Sequence, residues 1–181
     1  RWTELLTWTR KPTIAMINGY CYGGAFAPLA ACDIVVTADE ATFGLSEVNW
    51  GIIPAGNVTK AVAETIGYRQ ALYYAMTGET FTGKQAAAMG LVNSSVPRKK
   101  LKATTRKLAQ TLLEKNQTVL RGIKIAMKRV QYMDWEVSAD YLYAKMGDYL
   151  HLGRLEGGDL KLDLTDVRVD KAIIFPLVDR L

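Results

Sequence analysis

A pair of glycines, Gly23 and Gly24, separates two apolar runs of the chain. The run Thr13–Ile17 is rich in residues that favour strands, and residues 25–31 form a continuous apolar run that indicates a buried helix. A tight turn into a helix leaves the first backbone N–H groups of that helix without acceptors, at the positive end of its dipole. We therefore predict a strand, a turn and a helix that opens at Gly24 and can hold an anion.

An acidic residue, Glu47, follows in a segment that is otherwise largely apolar. A second strand is predicted at residues 34–37, and a short extended piece over 42–49 carries Glu47, with Trp50 beyond it. An anion hole facing one semi-buried acid suits a reaction that passes through an enolate. Trp50 is interpreted as part of the core or as a pocket wall.

The remaining pattern alternates strands and helices and so predicts an α/β protein. Thr82 and Gln85 form a capping box at the start of a helix over 83–89. Beyond Pro97 the pattern is helical, and in the tail apolar residues alternate with polar ones, which is strand periodicity. The other expected helices cover 1–10, 57–66, 68–77, 101–115, 118–133 and 135–152, and a further strand covers 91–96.

Composition excludes several classes of protein. The 181 residues are 49% hydrophobic and 23% charged, which is typical of a globular domain. No apolar run approaches a membrane span and no signal-peptide pattern opens the chain, so we expect a cytoplasmic protein without membrane association. Cys21 and Cys32 lack metal-type spacing and are interpreted as reduced core thiols, and we expect no metal site.

Basic residues are concentrated in one part of the chain. Residues 98–129 contain eleven Lys or Arg and one acid, Glu114. A solvated helix face is the favoured interpretation, and a contribution to the phosphates of an acidic cofactor is the next. The block has no aromatic residue on which a base could stack, so we expect no nucleic-acid partner.

Four motifs carry a resemblance to a known family: residues 19–25, 31–33, 41–47 and 51–56. Together with residues 77–81 and 86–93 they resemble the crotonase (enoyl-CoA hydratase/isomerase) superfamily. Residues 43–51 and 140–145 are most similar to the hydroxycinnamoyl-CoA hydratase-lyases within it. The resemblance covers about 11–152. It implies a ββα spiral core in 1–97, a helical trimerisation region in 98–155, and an atypical tail in 156–181.

The resemblance also implies roles for individual residues. The backbone N–H of Gly24, beside Gly23, would hold the thioester oxygen as it becomes an enolate. Glu47 would add water across the double bond and then take the hydroxyl proton in a retro-aldol step. Tyr143 would meet the phenol end of the substrate, although packing within its helix is an equally good interpretation. The family implies no cofactor beyond the CoA of the substrate, and trimers or hexamers as the assembly.

Two departures from the family pattern bear on activity. Hydratases with two carboxylates carry a second Glu three residues after the donor glycine, and the lyases typically carry Ser there, whereas this chain has Ala27. The family's amino-terminal part, which holds the second enolate donor, is also missing from the sequence. We therefore expect the chain alone to be a poor catalyst.

Three functions follow from these observations. The leading one is a hydratase-lyase that cleaves feruloyl- or coumaroyl-CoA to an aromatic aldehyde, of the vanillin type, and acetyl-CoA. The second is a hydratase or isomerase acting on another acyl-CoA. The third is a truncated chain that binds or assembles without catalysis, which Ala27 and the missing start would explain.

Overall fold

Parallel strands from successive turns of the chain pair with one another. The computed structural model describes residues 2–155 and 173–177. Its strands are β1 (Thr13–Ile17), β2 (Tyr20–Tyr22), β3 (Ile34–Ala38), β4 (Thr42–Gly44), β5 (Thr80–Thr82), β6 (Ser94–Val96) and β7 (Ile173–Leu177). Its helices are α1 (Trp2–Trp8), α2 (Phe26–Ala31), α3 (Val58–Thr65), α4 (Tyr68–Thr77), α5 (Gly83–Ala88), α6 (Arg98–Leu113), α7 (Gln117–Val130) and α8 (Trp135–Leu155).

Two sheets share the strands. One has the order β6-β3-β1-β7 and the other the order β2-β4-β5. The pairs β1/β3, β3/β6 and β2/β4 are parallel, and β4/β5 is antiparallel. The first four strands alternate between the two sheets, so each of these turns of the chain adds one strand to each sheet, which confirms the predicted ββα spiral.

The register of the first sheet is fixed by polar side chains. Asp33 Oδ2 accepts hydrogen bonds from the Thr13 amide (2.7 Å) and the Thr13 hydroxyl (2.9 Å), twenty residues away along the chain. At the other edge of β3, Asn93 Oδ1 accepts from the Val35 amide at 2.7 Å. Charged or amide acceptors beside strand ends make a slip of register costly, because each slip would leave a part-buried polar group unpaired.

The chain divides into two compact units. The first comprises residues 2–7, Thr13–Lys107 and 174–177, and contains both sheets; the second comprises Trp8–Pro12 and residues 108–155. In the second unit, α7 and α8 pack closely where Gly122 faces the Tyr149 ring. The division predicted at residues 97 and 155 stays a prediction.

Most predicted elements are confirmed, and two strands were missed. The helices lie within a few residues of their expected bounds, and the Thr82–Gln85 capping box is present at α5. The strands β2 and β5 have three residues each, too few for alternation to be recognised. The alternating part of the tail lies outside the described residues, whereas β7 joins the edge of the first sheet beside β1.

The extended piece predicted over 42–49 is wrong in its second half. Residues Ser46–Trp50 form a 3₁₀ helix, here called the Glu47 helix. It ends at Gly51, which has a left-handed conformation (φ 69°) and donates its N–H to Val48 O at 3.1 Å. A glycine after a short helix is a common stop signal, and here it determines where the Glu47 helix ends.

The basic block is not simply a solvated face. Arg98, Lys102 and Arg106 on α6 are exposed, as predicted. Lys124 on α7, however, is only 7% exposed, and its Nζ donates to the Lys11 carbonyl at 3.0 Å. Burial of this ammonium group is tolerated because a backbone carbonyl oxygen accepts a hydrogen bond from it.

The start of α5 gives a test of the packing. A Cβ at Gly83 would lie 1.9 Å from the carbonyl oxygen of Ala38, so Gly83→Ala must displace backbone. We expect the free energy of unfolding, measured by urea denaturation, to fall by about 2–4 kcal/mol. Gly24→Ala is the control, because no atom lies within 4 Å of its Cβ position. Equal stability of the two variants would contradict the packing at α5.

Candidate active site

The glycine pair forms the predicted turn between a strand and a helix. Tyr22 ends β2 in an extended conformation, and Gly23 then adopts a left-handed one, with φ at 49°. Gly23–Ala25 form one turn of 3₁₀ helix that leads directly into α2. Gly24 is exposed, and the N–H groups of a helix's first turn have no acceptor within the helix. The Gly24 amide is therefore placed to donate a hydrogen bond to a ligand.

The carboxylate of Glu47 lies directly against Gly23. A Cβ at Gly23 would be 2.8 Å from Glu47 Oε1 and 3.6 Å from Oε2. A side chain at position 23 would displace the carboxylate, and the left-handed φ independently favours glycine there. The structure thus brings the predicted acid to the residue that precedes the predicted donor.

One oxygen of that carboxylate is buried without a partner. Among the residues that the structure describes, no donor meets Glu47 Oε2, although the atom has almost no solvent exposure. A buried acceptor that lacks a hydrogen bond is costly, and such atoms are concentrated where a ligand supplies the missing partner. Glu47 Oε2 is therefore an acceptor that a donor on a ligand could meet.

A cluster of aromatic rings fixes both arms of the site. Phe26, on α2, has ring centroids 6.3 Å from Phe43 on β4 and 6.4 Å from Phe81 on β5, and Tyr74 lies 4.5 Å from Phe81. Phe26 comes two residues after Gly24, and Phe43 comes four residues before Glu47. Each aromatic pair contributes about 0.5–1.5 kcal/mol beyond the burial of its area. The cluster therefore holds the glycine turn and the Glu47 helix against one another.

Apolar side chains around the end of the Glu47 helix are exposed. Trp50 is 78% exposed, and Ile52 and Ile53 beyond it are exposed as well. The interpretation of Trp50 as a core residue is therefore wrong, because nothing in the described chain covers its ring. Its assignment to a pocket wall stays a prediction.

The remaining predicted site residues are spread over the two units. Ala27 is half-buried on α2, three residues after Gly24, and supplies no polar group. Tyr143 is on α8, in the second unit, and is 73% exposed. That exposure is against the helix-packing interpretation of Tyr143, and its contact with a substrate stays a prediction. Tyr149 is the ring that packs on Gly122 instead.

Other types of site are not formed by the described residues. Within 2–155 and 173–177 no group of His, Cys, Asp or Glu has the arrangement of a metal site. Burial raises the pKa of the Cys21 thiol to about 12, so it remains protonated near neutral pH and does not act as a nucleophile. No helix in the same part of the chain has the length and apolarity that a membrane crossing requires.

Sequence reasoning missed part of the support for the site. Tyr22 was not placed in a strand, yet its ring fills the space beside Gly44, where a Cβ would lie 2.5 Å from Tyr22 Cε1. The alternation of Tyr20, Cys21 and Tyr22 was the available signal. Three residues between a turn and a glycine pair are too short for that signal to be recognised.

Comparison of the sequence with known protein families identifies the family to which the chain belongs. The sequence profile of the enoyl-CoA hydratase/isomerase family matches residues 1–147. The chain belongs to this family. The match covers both the glycine turn and the Glu47 helix, so the two segments that meet at Gly23 lie within the part of the chain that the family profile describes.

Individual relatives span a range of activities. The chain is 57% identical over 155 residues to a hydroxycinnamoyl-CoA hydratase-lyase of Pseudomonas fluorescens, which covers 86% of this chain and 56% of the relative. It is 35% identical to a mevalonyl-coenzyme A hydratase of Aspergillus fumigatus, over 79% of this chain and 56% of that protein. The chain thus spans about half the length of these curated relatives.

Solved structures agree on the fold. An enoyl-CoA hydratase of Bacillus anthracis superposes with a TM-score of 0.80 at 28% identity, over 86% of this chain and 60% of the other. A Geobacillus kaustophilus protein described as an enoyl-CoA hydratase subunit gives 0.79 at 27% identity, over 90% and 66%. These superpositions confirm the crotonase fold.

The contact between Glu47 and Gly23 is testable by substitution. Gly23→Ala combines a left-handed alanine with a methyl group placed 2.8 Å from the carboxylate. Gly56→Ala has a similar φ of 64° and open space around its Cβ, so it carries the backbone strain alone. We expect Gly56→Ala to lose about 1 kcal/mol of stability, and Gly23→Ala to lose about 1–3 kcal/mol more, in urea denaturation. Equal losses would mean that the carboxylate does not occupy this position.

Proposed function

We propose that this chain provides the catalytic turn of a hydratase-lyase acting on hydroxycinnamoyl-CoA thioesters. The supporting observation is the Glu47 carboxylate, which lies against Gly23, the residue before Gly24, and has one buried and unpartnered oxygen. The 57% identity to a hydroxycinnamoyl-CoA hydratase-lyase favours this activity over others of the same fold.

In the proposed reaction, hydration and cleavage both use the Glu47 carboxylate and the Gly24 N–H. Glu47 first delivers the elements of water across the double bond, with hydroxyl at the β carbon and hydrogen at the α carbon. It next removes the proton from the new hydroxyl, the bond between the α and β carbons breaks, and an aromatic aldehyde leaves. The electrons pass to the thioester as an enolate, which the Gly24 N–H stabilises and which takes up a proton to give acetyl-CoA.

A single carboxylate suits this sequence of steps. Because position 27 is alanine, no second acid projects from α2 beside Gly24. One acid that alternately gives and takes a proton is sufficient when hydration is followed by cleavage at the same carbon. The chemistry resides in the substrate and in these two groups, so we propose that the reaction needs no cofactor other than the CoA of the thioester.

The test is an assay with feruloyl-CoA in which chromatography measures both the aldehyde released and the acetyl-CoA formed. The 181-residue chain is assayed alone and with the part of the Pseudomonas relative that it does not match, since the chain covers 56% of that protein. Glu47→Gln should lower kcat by at least about a thousandfold, the scale of losing the proton-transfer group. The matched control Glu64→Gln, at an exposed position on α3, should leave kcat unchanged.

Other outcomes discriminate the alternatives. Hydration of crotonyl-CoA without aldehyde from any aromatic thioester would favour a plain hydratase of this family. Binding of feruloyl-CoA without turnover in either form of the assay would indicate a chain that binds or assembles only.

We further propose that the protein forms homo-oligomers, trimers in the first instance, through α7 and α8. The exposed side of α7 carries Val119, Ile123 and Met127, at intervals of one helical turn, whereas its Lys124 is buried. Exposed apolar side chains beside a buried lysine reverse the usual arrangement of a surface helix. This arrangement favours burial of the apolar stripe of Val119, Ile123 and Met127 against a second copy of the chain. We propose no nucleic-acid partner for the basic block, because residues 98–129 contain no aromatic side chain of their own for base stacking.

The stripe can be tested by charge. Ile123→Asp should convert the oligomer into monomers in size-exclusion chromatography with light scattering, because an aspartate in an apolar interface is left without a partner. The control is Gln110→Asp, at an exposed position on α6. An oligomer that survives Ile123→Asp would assign the interface to another surface.

A further inference from the structure

The Glu47 helix makes a second close contact, with the turn that follows α4. Gly78 ends α4 in a left-handed conformation with φ at 66°, and its N–H donates to Tyr74 O at 3.0 Å. A Cβ at Gly78 would lie 2.9 Å from both Nδ2 and Oδ1 of Asn49 and 3.0 Å from Cγ1 of Val48. The side chain of Asn49 thus occupies the space that any other residue at position 78 would need.

Two glycines therefore leave room for side chains of the Glu47 helix. Gly23 accommodates the carboxylate of Glu47, and Gly78 accommodates the amide of Asn49, two residues further on. Both approaches are closer than a Cβ permits, so each glycine lets a side chain of the helix lie directly against the backbone of a neighbouring segment. The position of the carboxylate then depends on both contacts.

The turn at Gly78 is held by its own hydrogen bonds. Thr77 Oγ1 donates to Tyr73 O at 2.8 Å and accepts from the Glu79 amide at 3.2 Å. The Tyr73 hydroxyl donates to Glu79 Oε2 at 2.8 Å, and this hydrogen bond raises the pKa of Tyr73, so the hydroxyl keeps its proton near neutral pH. The turn is thus a firm support for Asn49.

We propose that Asn49 is a positioning residue: seated on Gly78, it holds the Glu47 helix where the Glu47 carboxylate reaches the reacting thioester beside Gly24. The proposal rests on the proposed function for its kinetic consequence. It predicts a loss of rate from a group that contacts neither substrate nor Glu47 itself, since a displacement of about 1 Å at a catalytic group lowers a rate by about a hundredfold.

Three variants and one control test this assignment by kinetics. Gly78→Ala places a methyl group where the Asn49 side chain lies, and Asn49→Ala removes that side chain. Each variant should lower kcat about 10- to 100-fold with KM changed less than about twofold. In the double variant the new methyl enters the space that Asn49 leaves. We therefore expect kcat to be higher than the product of the two single losses predicts. Gly56→Ala, with φ at 64° and open space, should leave kcat unchanged.

A measurement without turnover separates this proposal from the proposed function. The side-chain carboxyl ¹³C resonance of Glu47, assigned by its disappearance in Glu47→Gln, is followed through a pH titration of the ligand-free protein. Gly78→Ala and Asn49→Ala should shift this resonance or its titration, and Gly56→Ala should not.

Each combination of results decides one of the two proposals. A Glu47 resonance that moves in a protein without aldehyde release overturns the proposed function and supports the positioning by Asn49. A Glu47 resonance that stays fixed, with strictly multiplicative losses in the double variant, overturns the positioning by Asn49 whether or not aldehyde is released.

Discussion

The approach of the Glu47 carboxylate to the backbone of Gly23 is the contact on which the site depends. It requires a residue without a side chain at position 23, a left-handed turn there, and a short helix that directs the acid inward. Each requirement has a local cause. Glycine permits the turn, Gly51 ends the Glu47 helix, and the rings of Phe26 and Phe43 hold the two segments at a fixed separation.

The spiral explains how segments distant in sequence meet at this point. Successive turns place β2 and β4 side by side in parallel, with Tyr22 opposite Gly44. The glycine turn leaves the end of β2, and the Glu47 helix leaves the end of β4, so parallel pairing brings both to the same edge of the sheet. The Glu47 carboxylate and the glycine turn are thereby brought together by topology, and the aromatic cluster packs between the segments that carry them.

The buried, unpartnered oxygen of Glu47 has a cost that the fold must offset. An acceptor without a hydrogen bond destabilises the folded state by about 1–3 kcal/mol, comparable to what one buried aromatic side chain contributes. The cluster of Phe26, Phe43, Phe81 and Tyr74 lies directly beneath the site. The packing of this cluster thus offsets the cost of the unpartnered oxygen within the same part of the fold.

The sequence by itself determined the periodic elements and the chemistry of the motif. Long helices, the strands β1 and β3, the capping box of α5 and the pairing of a glycine turn with one acid were all readable, because each depends on local residue type and spacing. Three features were determined by the tertiary structure alone. The helical form of Ser46–Trp50, the exposure of Trp50 and the seat of Asn49 on Gly78 depend on which segments the spiral brings together, and no local pattern records a neighbour that lies tens of residues away.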